Sequence, residues 1–310
     1  MTINVLYAGN PALWPIYETE LHKSLEEVGI AVNLSDDMPP ETVDYIVYAP
    51  NGPVQDFTPF IRAQAVFGLW AGAEKVVGNP TLTIPYTRMV DGGLREGMTE
   101  WVTGHVLRHH LGMDEFVHRT QPLWNRHVPP LARDRSVAVL GLGELGAAEA
   151  QALVALNFKV SGWSRTQKDI PGVTCYSGEQ GLASVLAGAE IVVLLLPSTP
   201  ETENVLNEER LDLMPQGAVV INPGRGPLID DAALLAALDR GQIGHATLDV
   251  FRVEPLPDDN PFWAHPKVTV TPHIASDTRP NTAARVVAEN LRRSEAGEPL
   301  LHLLDRTAGY

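Results

Sequence analysis

Short apolar runs, separated by stretches with helical spacing, dominate the hydrophobic pattern of this chain. In the first hundred residues, Ile3–Tyr7, Tyr45–Tyr48 and Ala65–Leu69 are typical of strands. Between the first two runs, Tyr17–Val28 has the spacing of a helix, and a longer helix is expected from Glu96 to His118. These elements predict a small α/β unit at the start of the chain.

A second, longer alternation of apolar runs and helical stretches begins at Ser136. The runs that predict its strands are Val137–Leu140, Phe158–Val160, Ile191–Leu196, Ala218–Ile221, His245–Asp249 and Val268–Thr271. Helices are expected over Leu145–Leu156 and over Asp231–Leu238, the latter capped by Asp230. Because strands and helices alternate, this part predicts a parallel, doubly wound α/β sheet. One more helix is expected after the sheet, over Thr282–Ser294.

The composition excludes several classes of partner. The chain has 310 residues with 38 acids against 23 Lys and Arg, a net charge of −15. No cluster of Lys and Arg stands out, so we expect no nucleic acid and no anionic membrane as partner. Cys175 is the single cysteine, which favours a reducing, cytoplasmic compartment. The sequence shows no signal-peptide pattern and no apolar run that is long enough to span a bilayer.

The residues Gly141 to Gly146 read G-x-G-x-x-G and lie between a predicted strand and a predicted helix. In this context Gly141 permits a tight turn and Gly143 lets the backbone approach a pyrophosphate. Gly146 lets the helix pack closely on the strand. The first N–H groups of the helix, at Glu144 and Leu145, then face the phosphates. The motif therefore predicts a dinucleotide site.

The end of the next predicted strand indicates which dinucleotide binds. An NAD site requires an acid here to accept hydrogen bonds from the ribose, yet no acid occurs between Phe158 and Lys168. Arg165 can pair with a 2′-phosphate, while Ser164 and Thr166 add hydroxyl groups and Lys168 adds charge. We therefore expect NADPH/NADP, with NAD as the second choice.

Three chemically reactive side chains each follow a predicted strand. Arg225 lies just after Ala218–Ile221, Glu254 follows the run that ends at Asp249, and His273 follows Val268–Thr271. The carboxyl ends of parallel strands meet at one edge of a sheet, which is where ligands bind. A cation, an acid and an imidazole at that edge can hold a carboxylate and move a proton.

Taken together, these motifs resemble the D-isomer-specific 2-hydroxyacid dehydrogenase family. The matching elements are Gly141–Gly146, Leu196-Pro197 with Thr199 to Thr202, Asn222–Gly226 continuing to Asp230 and Leu234, Leu248–Pro255, and Thr271–Ala275. Further similarity, at Trp163–Thr166, at Leu256-Pro257 and at Asp305–Tyr310, points to the branch that reduces glyoxylate and hydroxypyruvate.

The resemblance implies a role for each reactive residue in reducing a small 2-oxo acid to a D-2-hydroxy acid. Arg225 would bind the substrate carboxylate, and His273 would protonate the carbonyl oxygen. Glu254 would hold the His273 ring and favour its protonated form, so reduction should slow as the pH rises. The resemblance also places Leu196 and Pro197 beside the cofactor and Asp249 opposite the nicotinamide amide.

The family architecture implies a Rossmann cofactor domain over residues 99–277, inserted into a smaller, flavodoxin-like α/β substrate domain of residues 1–98 and 278–310. Backbone N–H groups of Trp70, Ala71 and Gly72 would contact the substrate carboxylate in a cleft between the domains. Trp70 replaces a small residue: its indole would narrow the cleft, turn outward, or pack in the domain core. The family resemblance also suggests a homodimer.

Other functions and ligands were also considered. His105, His109, His110 and His118 on the long predicted helix match no metal-ligand pattern, so packed or solvated histidines and no bound metal are expected. An alternative enzyme of the same family would act on another acid, such as D-lactate. A non-enzymatic alternative is a dinucleotide-sensing binding protein of the same fold, which the absence of long disordered tails and basic patches disfavours.

Overall fold

The computed structural model describes residues 2–117, 120–122, 124 and 126–306. The chain forms two compact units, one of Met1–Leu94 with Asp277–Tyr310 and one of Arg95–Ser276. The expected domain boundaries lie after residues 98 and 277, beside the ends of these units.

The smaller unit contains a parallel sheet with the strand order β2-β1-β3-β4-β5. Its strands are β1 (Ile3–Ala8), β2 (Val32–Ser35), β3 (Tyr45–Tyr48), β4 (Ala65–Gly68) and β5 (Tyr86–Thr87). This is the strand order of the flavodoxin-like fold, which the family resemblance implied. The sequence pattern did not predict β2 and β5.

Helices cover the sheet of the smaller unit: α1 (Trp14–Glu27), the short α2 (Glu74–Val77) and the C-terminal helix (Pro280–Glu295). Leu21 and Leu25 of α1 share one core with Ala284, Val287 and Leu291 of the C-terminal helix. These side chains are almost completely buried. The end of the chain therefore belongs to the same unit as its beginning, because its helix shares that core.

The larger unit contains a parallel sheet with the strand order β12-β11-β10-β9-β6-β7-β8. Its strands are β6 (Ser136–Leu140), β7 (Lys159–Trp163), β8 (Val173–Tyr176), β9 (Ile191–Leu194), β10 (Ala218–Asn222), β11 (Ile243–Leu248) and β12 (Val268–Val270). The order reverses between β6 and β9, which is the switch point where ligands bind in such sheets.

Helices pack on both faces of this sheet, as the doubly wound prediction requires. They are α3 (Gly92–His110), which begins in the smaller unit, α4 (Asp114–Val117), α5 (Glu144–Ala155), α6 (Gly178–Gly188), α7 (Glu208–Leu213) and α8 (Asp231–Asp239). Short 3-10 turns occur at Pro11–Leu13, Pro40–Thr42, Ala132–Asp134, Gly226–Leu228 and Pro261–Trp263. Asp230 caps α8 by accepting a hydrogen bond from the N–H of Ala233, as predicted.

The prediction of one long helix from Glu96 to His118 is wrong about where the helix ends. The helix stops at His110, and a short helix follows over Asp114–Val117. Gly112 between them has a φ of 63°, a left-handed conformation that ends a helix. His118 lies outside the described residues. Within those residues, we find no helix that combines the length and hydropathy needed to cross a membrane.

Glu149 of α5 is a fully buried acid whose carboxyl group has few hydrogen-bond partners. One carboxylate oxygen accepts a hydrogen bond of 3.3 Å from the Thr103 hydroxyl of α3, and the other has no partner. Burial raises the pKa of Glu149 to about 8. The group is therefore protonated at neutral pH in the folded chain, although it would be ionised in the unfolded chain.

This difference predicts the pH dependence of stability. The pKa of Glu149 is higher in the folded chain than in the unfolded chain. Its contribution to the free energy of unfolding is therefore fully present below about pH 4.5 and is lost as the pH rises to about 8. We expect Glu149→Gln to gain stability relative to the parent between pH 5 and pH 8, as followed by thermal unfolding. Glu100→Gln, an exposed acid of α3, is the control. A parent–variant difference that is constant over this range would contradict the assignment.

Candidate active site

The loop between β6 and α5 has the backbone geometry that the glycine motif predicts. Gly141 has a φ of 106°, in the region that favours glycine. A Cβ at Gly141 would overlap the backbone of Leu195 and Leu196, which follow β9. A Cβ at Gly146 would overlap the carbonyl oxygen of Gly141. Both positions require glycine, and Leu196 is brought beside the motif.

Gly143 differs from the other two glycines because it adjoins open space. It is exposed, and a Cβ there would meet no atom within 4 Å. Gly143 is also the N-cap of α5, and no side chain caps this helix end. The start of α5 therefore offers N–H groups and positive potential to an accessible region. These residues fit the pyrophosphate of a dinucleotide.

The segment after β7 contains the residues that were expected to select the cofactor. Arg165, Thr166 and Lys168 are exposed. Ser164 is buried, and its hydroxyl donates a hydrogen bond of 2.7 Å to the carbonyl oxygen of Thr166. A hydroxyl has a single proton to donate, so Ser164 orders this turn. The contact of Ser164 with the 2′-phosphate stays a prediction.

Glu201 on the loop after β9 places an acid near Arg165. A hydrogen bond from Thr199 is the main cause of the lowered pKa of Glu201, and the charge of Arg165 contributes to it. This acid is distant in sequence from β7, so the residues next to that strand did not indicate it.

His273 and Glu254 are paired, as the site hypothesis requires. Nδ1 of His273 lies 2.7 Å from Oε2 of Glu254. The other carboxylate oxygen accepts a hydrogen bond of 2.8 Å from the N–H of Phe251, so Glu254 is itself oriented. The His273 side chain is 51% exposed. Its ring can therefore present Nε2 to a ligand while Glu254 holds Nδ1.

Asp249 organises the segment that carries His273. Its fully buried carboxylate accepts hydrogen bonds from the Thr271 hydroxyl at 2.5 Å and from the N–H groups of Ile274 and Ala275 at 2.9 Å. Its carbonyl oxygen also accepts a hydrogen bond from the N–H of His273. The sequence analysis missed this structural role. The contact of Asp249 with the nicotinamide amide stays a prediction.

Arg225 follows β10 on a turn that is held by Asn222. The Asn222 amide donates a hydrogen bond of 2.9 Å to the carbonyl oxygen of Arg225, and its oxygen accepts one of 3.1 Å from the N–H of Gly224. The guanidinium donates a hydrogen bond of 2.7 Å to the carbonyl oxygen of Gly224. The side chain is half-buried, so a preformed turn controls where it lies.

Backbone contacts hold the loops after β10, β11 and β12 together. A Cβ at Gly226 would overlap the backbone of Phe251 and Arg252, which belong to the loop that carries Glu254. Because β10, β11 and β12 are adjacent and parallel, the loops of Arg225, Glu254 and His273 lie at one edge of the sheet. The glycine loop after β6 lies at the same edge. This is the predicted arrangement of loops.

In the smaller unit, the turn at Trp70, Ala71 and Gly72 is held by its carbonyl groups. The carbonyl oxygen of Trp70 accepts a hydrogen bond of 3.0 Å from the N–H of Met89. The indole of Trp70 packs against the core of this unit, and Lys75 Nζ lies 5.5 Å from the ring centroid. Of the three alternatives for Trp70, the structure therefore favours core packing.

Two histidines of α3 are packed against aromatic rings. The ring centroids of His105 and Trp101 are 4.2 Å apart. The ring of His110 packs edge-on against that of Phe158, with their centroids 5.0 Å apart. Burial lowers the pKa of both histidines. These two histidines are therefore packed, which is one of the two states that the sequence predicted for them.

Comparison with known proteins agrees with this fold. The NAD-binding domain of the D-isomer-specific 2-hydroxyacid dehydrogenases matches residues 103–275, more than half of the chain. The chain therefore belongs to the D-isomer-specific 2-hydroxyacid dehydrogenase family, as its motifs indicated.

Similar proteins fall within the branch that the sequence motifs suggested. Glyoxylate/hydroxypyruvate reductase A of Yersinia enterocolitica is 37% identical over 279 residues, which cover 87% of this chain and 88% of that protein. A family structure from Xanthobacter autotrophicus Py2 in complex with NADPH and MES has a TM-score of 0.93 and 40% identity, with full coverage of both chains. An NADPH-dependent glyoxylate/hydroxypyruvate reductase from Sinorhizobium meliloti, in complex with NADP and sulfate, has a TM-score of 0.85 and 32% identity, also with full coverage.

The close approach at Gly226 generates a prediction about the integrity of the site. We expect Gly226→Ala to lower the free energy of unfolding by about 1–3 kcal/mol or more, because the added methyl group has no room against backbone atoms. Thermal or urea unfolding measures this change. Gly188→Ala, at a helical glycine where a Cβ meets nothing within 4 Å, should be neutral or slightly stabilising. Equal stabilities of the two variants would refute the packing argument.

Proposed function

We propose that this protein is an NADPH-dependent reductase that converts small 2-oxo acids of the glyoxylate and hydroxypyruvate type into D-2-hydroxy acids. The observation that carries the proposal is the 2.7 Å pair of His273 and Glu254. This pair lies on the same sheet edge as the Arg225 loop and the glycine loop. The names of the similar proteins from Yersinia and Sinorhizobium support the same activity.

His273 acts as the proton donor in this proposal. Glu254 accepts the hydrogen bond from Nδ1, which leaves Nε2 to donate a proton to the substrate carbonyl oxygen. The N–H of Phe251 holds the other oxygen of Glu254, so the ring is kept in one orientation. A fixed donor reduces the reorganisation that proton transfer requires.

Arg225 binds the substrate carboxylate. Its planar guanidinium offers several donors, and a bidentate pair with a carboxylate fixes both distance and orientation. The Asn222 turn holds the backbone of Arg225 before any substrate arrives. Such pre-organisation lowers the entropy that binding must overcome.

The cofactor is held by the glycine loop and by the segment after β7. Gly141, Gly143 and Gly146, with the N–H groups of Glu144 and Leu145, receive the pyrophosphate. Arg165 with Thr166 and Lys168 receives the 2′-phosphate, and Leu196 and Pro197 border the cofactor. When bound, NADPH supplies the hydride for reduction.

We further propose that the N–H groups of Trp70, Ala71 and Gly72 contribute to binding the substrate carboxylate. The bond between the Trp70 carbonyl and Met89 and the contact of the Ala71 carbonyl with Arg88 at 3.5 Å support a rigid turn. Because the indole of Trp70 packs against the core, the backbone of the turn and not the Trp70 side chain would bind the substrate.

A homodimer is the assembly that we propose. Large exposed apolar side chains cluster in one stretch after α3: Leu111, Met113, Val117, Trp124, Val128 and Leu131. These exposed apolar side chains support an interaction surface in this stretch, since burial against a second copy would remove them from water. A cytoplasmic location stays an expectation that is based on the single cysteine.

Steady-state kinetics with glyoxylate, hydroxypyruvate, pyruvate and phenylpyruvate test the activity. We expect NADPH-dependent reduction of glyoxylate and hydroxypyruvate. Arg225→Ala and His273→Ala should each reduce kcat/KM by roughly 10²- to 10⁴-fold. His22→Ala, an exposed histidine of α1, should leave it unchanged.

Two outcomes of these assays would overturn the proposed function. Tight dinucleotide binding without turnover of any 2-oxo acid would favour the dinucleotide-sensing alternative. Turnover of pyruvate or phenylpyruvate alone would favour a dehydrogenase for another acid.

Cofactor selection is tested at Arg165. We expect the parent to prefer NADPH over NADH, and Arg165→Ala to raise KM for NADPH at least about tenfold, since a charge-assisted contact with the phosphate is lost. The KM for NADH should change little, because NADH lacks the 2′-phosphate. Arg133→Ala, on a turn before β6, serves as the control. A parent enzyme that favours NADH would refute this assignment.

A further inference from the structure

Three side chains from separate elements converge at the end of α3. His109 lies on α3, Asp114 begins α4, and His245 lies on β11. One potential ligand atom of each residue lies within 4.8 Å of the other two. The two imidazole rings have their centroids 4.8 Å apart. Among the described residues, these three form the group of His, Cys, Asp and Glu side chains that is close enough together to hold a metal ion.

We propose that His109, Asp114 and His245 form a Zn²⁺ site with three protein ligands and a water molecule in the fourth position. Two imidazoles and one carboxylate are a common zinc ligand set, with bonds of about 2.0–2.2 Å. Tetrahedral bonds of that length separate the ligand atoms by about 3.4 Å. Small side-chain movements from the observed positions are therefore sufficient to close the site.

Hydrogen bonds already orient each of the three ligands. Nε2 of His109 lies 2.8 Å from the Thr247 hydroxyl, and Nε2 of His245 lies 2.9 Å from the Thr269 hydroxyl. Asp114 accepts a hydrogen bond of 2.6 Å from Nε of Arg108. Metal ligands are typically held in this manner by a second layer of polar groups.

The burial of the site also suits a metal. His109, Asp114 and His245 are each partly buried, so their ligand atoms are shielded from bulk water. The nearby charge of Arg108 opposes a cation, and the expected affinity is therefore moderate.

The site is separate from the proposed catalytic residues. His245 is close to the start of β11, whereas the loop that contains Glu254 follows the end of that strand. Zinc at this position would connect the end of α3 and the start of α4 to the sheet. It would thus stabilise the chain on either side of the helix break at Gly112.

The experiment is a Zn²⁺ titration of protein that has been freed of metal with a chelator. We expect one Zn²⁺ per chain by equilibrium dialysis and a higher melting temperature in its presence. His109→Asn and His245→Asn should each weaken binding at least about tenfold, and Thr247→Val should weaken it by about 10- to 100-fold. Co²⁺ in place of Zn²⁺ should give the visible absorption of a four-coordinate site in the parent and lose it in both histidine variants.

His265→Asn is the matched control, because His265 also lies near a carboxylate, that of Asp239, yet outside the proposed site. The melting temperature of each variant without metal establishes that it is folded. The proposal is overturned if the parent retains no stoichiometric Zn²⁺. It is equally overturned if folded His109→Asn and His245→Asn bind as tightly as the parent, or if His265→Asn loses binding to the same extent.

Discussion

A buried carboxylate determines the geometry of the proposed catalytic centre. Asp249 has no exposed surface, and it accepts hydrogen bonds from the Thr271 hydroxyl and from the N–H groups of Ile274 and Ala275. A buried charge is tolerated only with such partners, and these partners flank His273 on both sides. Any conformation that displaced the histidine segment would leave this charge without hydrogen bonds. The orientation of His273 towards Glu254 therefore depends on a residue that has no exposed surface of its own.

Local charge also explains how an acidic protein can bind an acidic substrate. The net charge of −15 creates an unfavourable field for an anion at a distance. At physiological ionic strength, however, exposed charges are screened beyond about 8 Å. Arg225 is half-buried, so its charge is screened less than that of a fully exposed side chain. The Asn222 turn is thus as important as the charge, because it determines where that local potential lies.

The parts of the fold and site that depend on short-range sequence patterns were predictable. The glycine motif, the alternating strands and the strand-end positions of Arg225, Glu254 and His273 all follow from local signals. The helix break at Gly112 was missed, because a single glycine also occurs inside helices and its φ is set by the folded chain.

Interactions between distant segments could not be read from the sequence. The contact of His109 with His245 joins a helix and a strand that are distant in sequence. The hydroxyl of Ser164 shows the same limitation at short range, since its direction towards Thr166 depends on the turn geometry. Sequence spacing identified candidate residues, and tertiary packing decided which atoms they contact.

The backbone of His273 adopts a left-handed conformation, with a φ of 54°. Among residues other than glycine, Asn, Asp and His are enriched in this region, whereas β-branched side chains are strongly disfavoured. The acid–base group is therefore encoded at a position where few amino acids are structurally acceptable. Evolutionary drift at this position is restricted by conformation as well as by chemistry, so a relative that had abandoned catalysis could still retain a histidine here for the sake of its main chain.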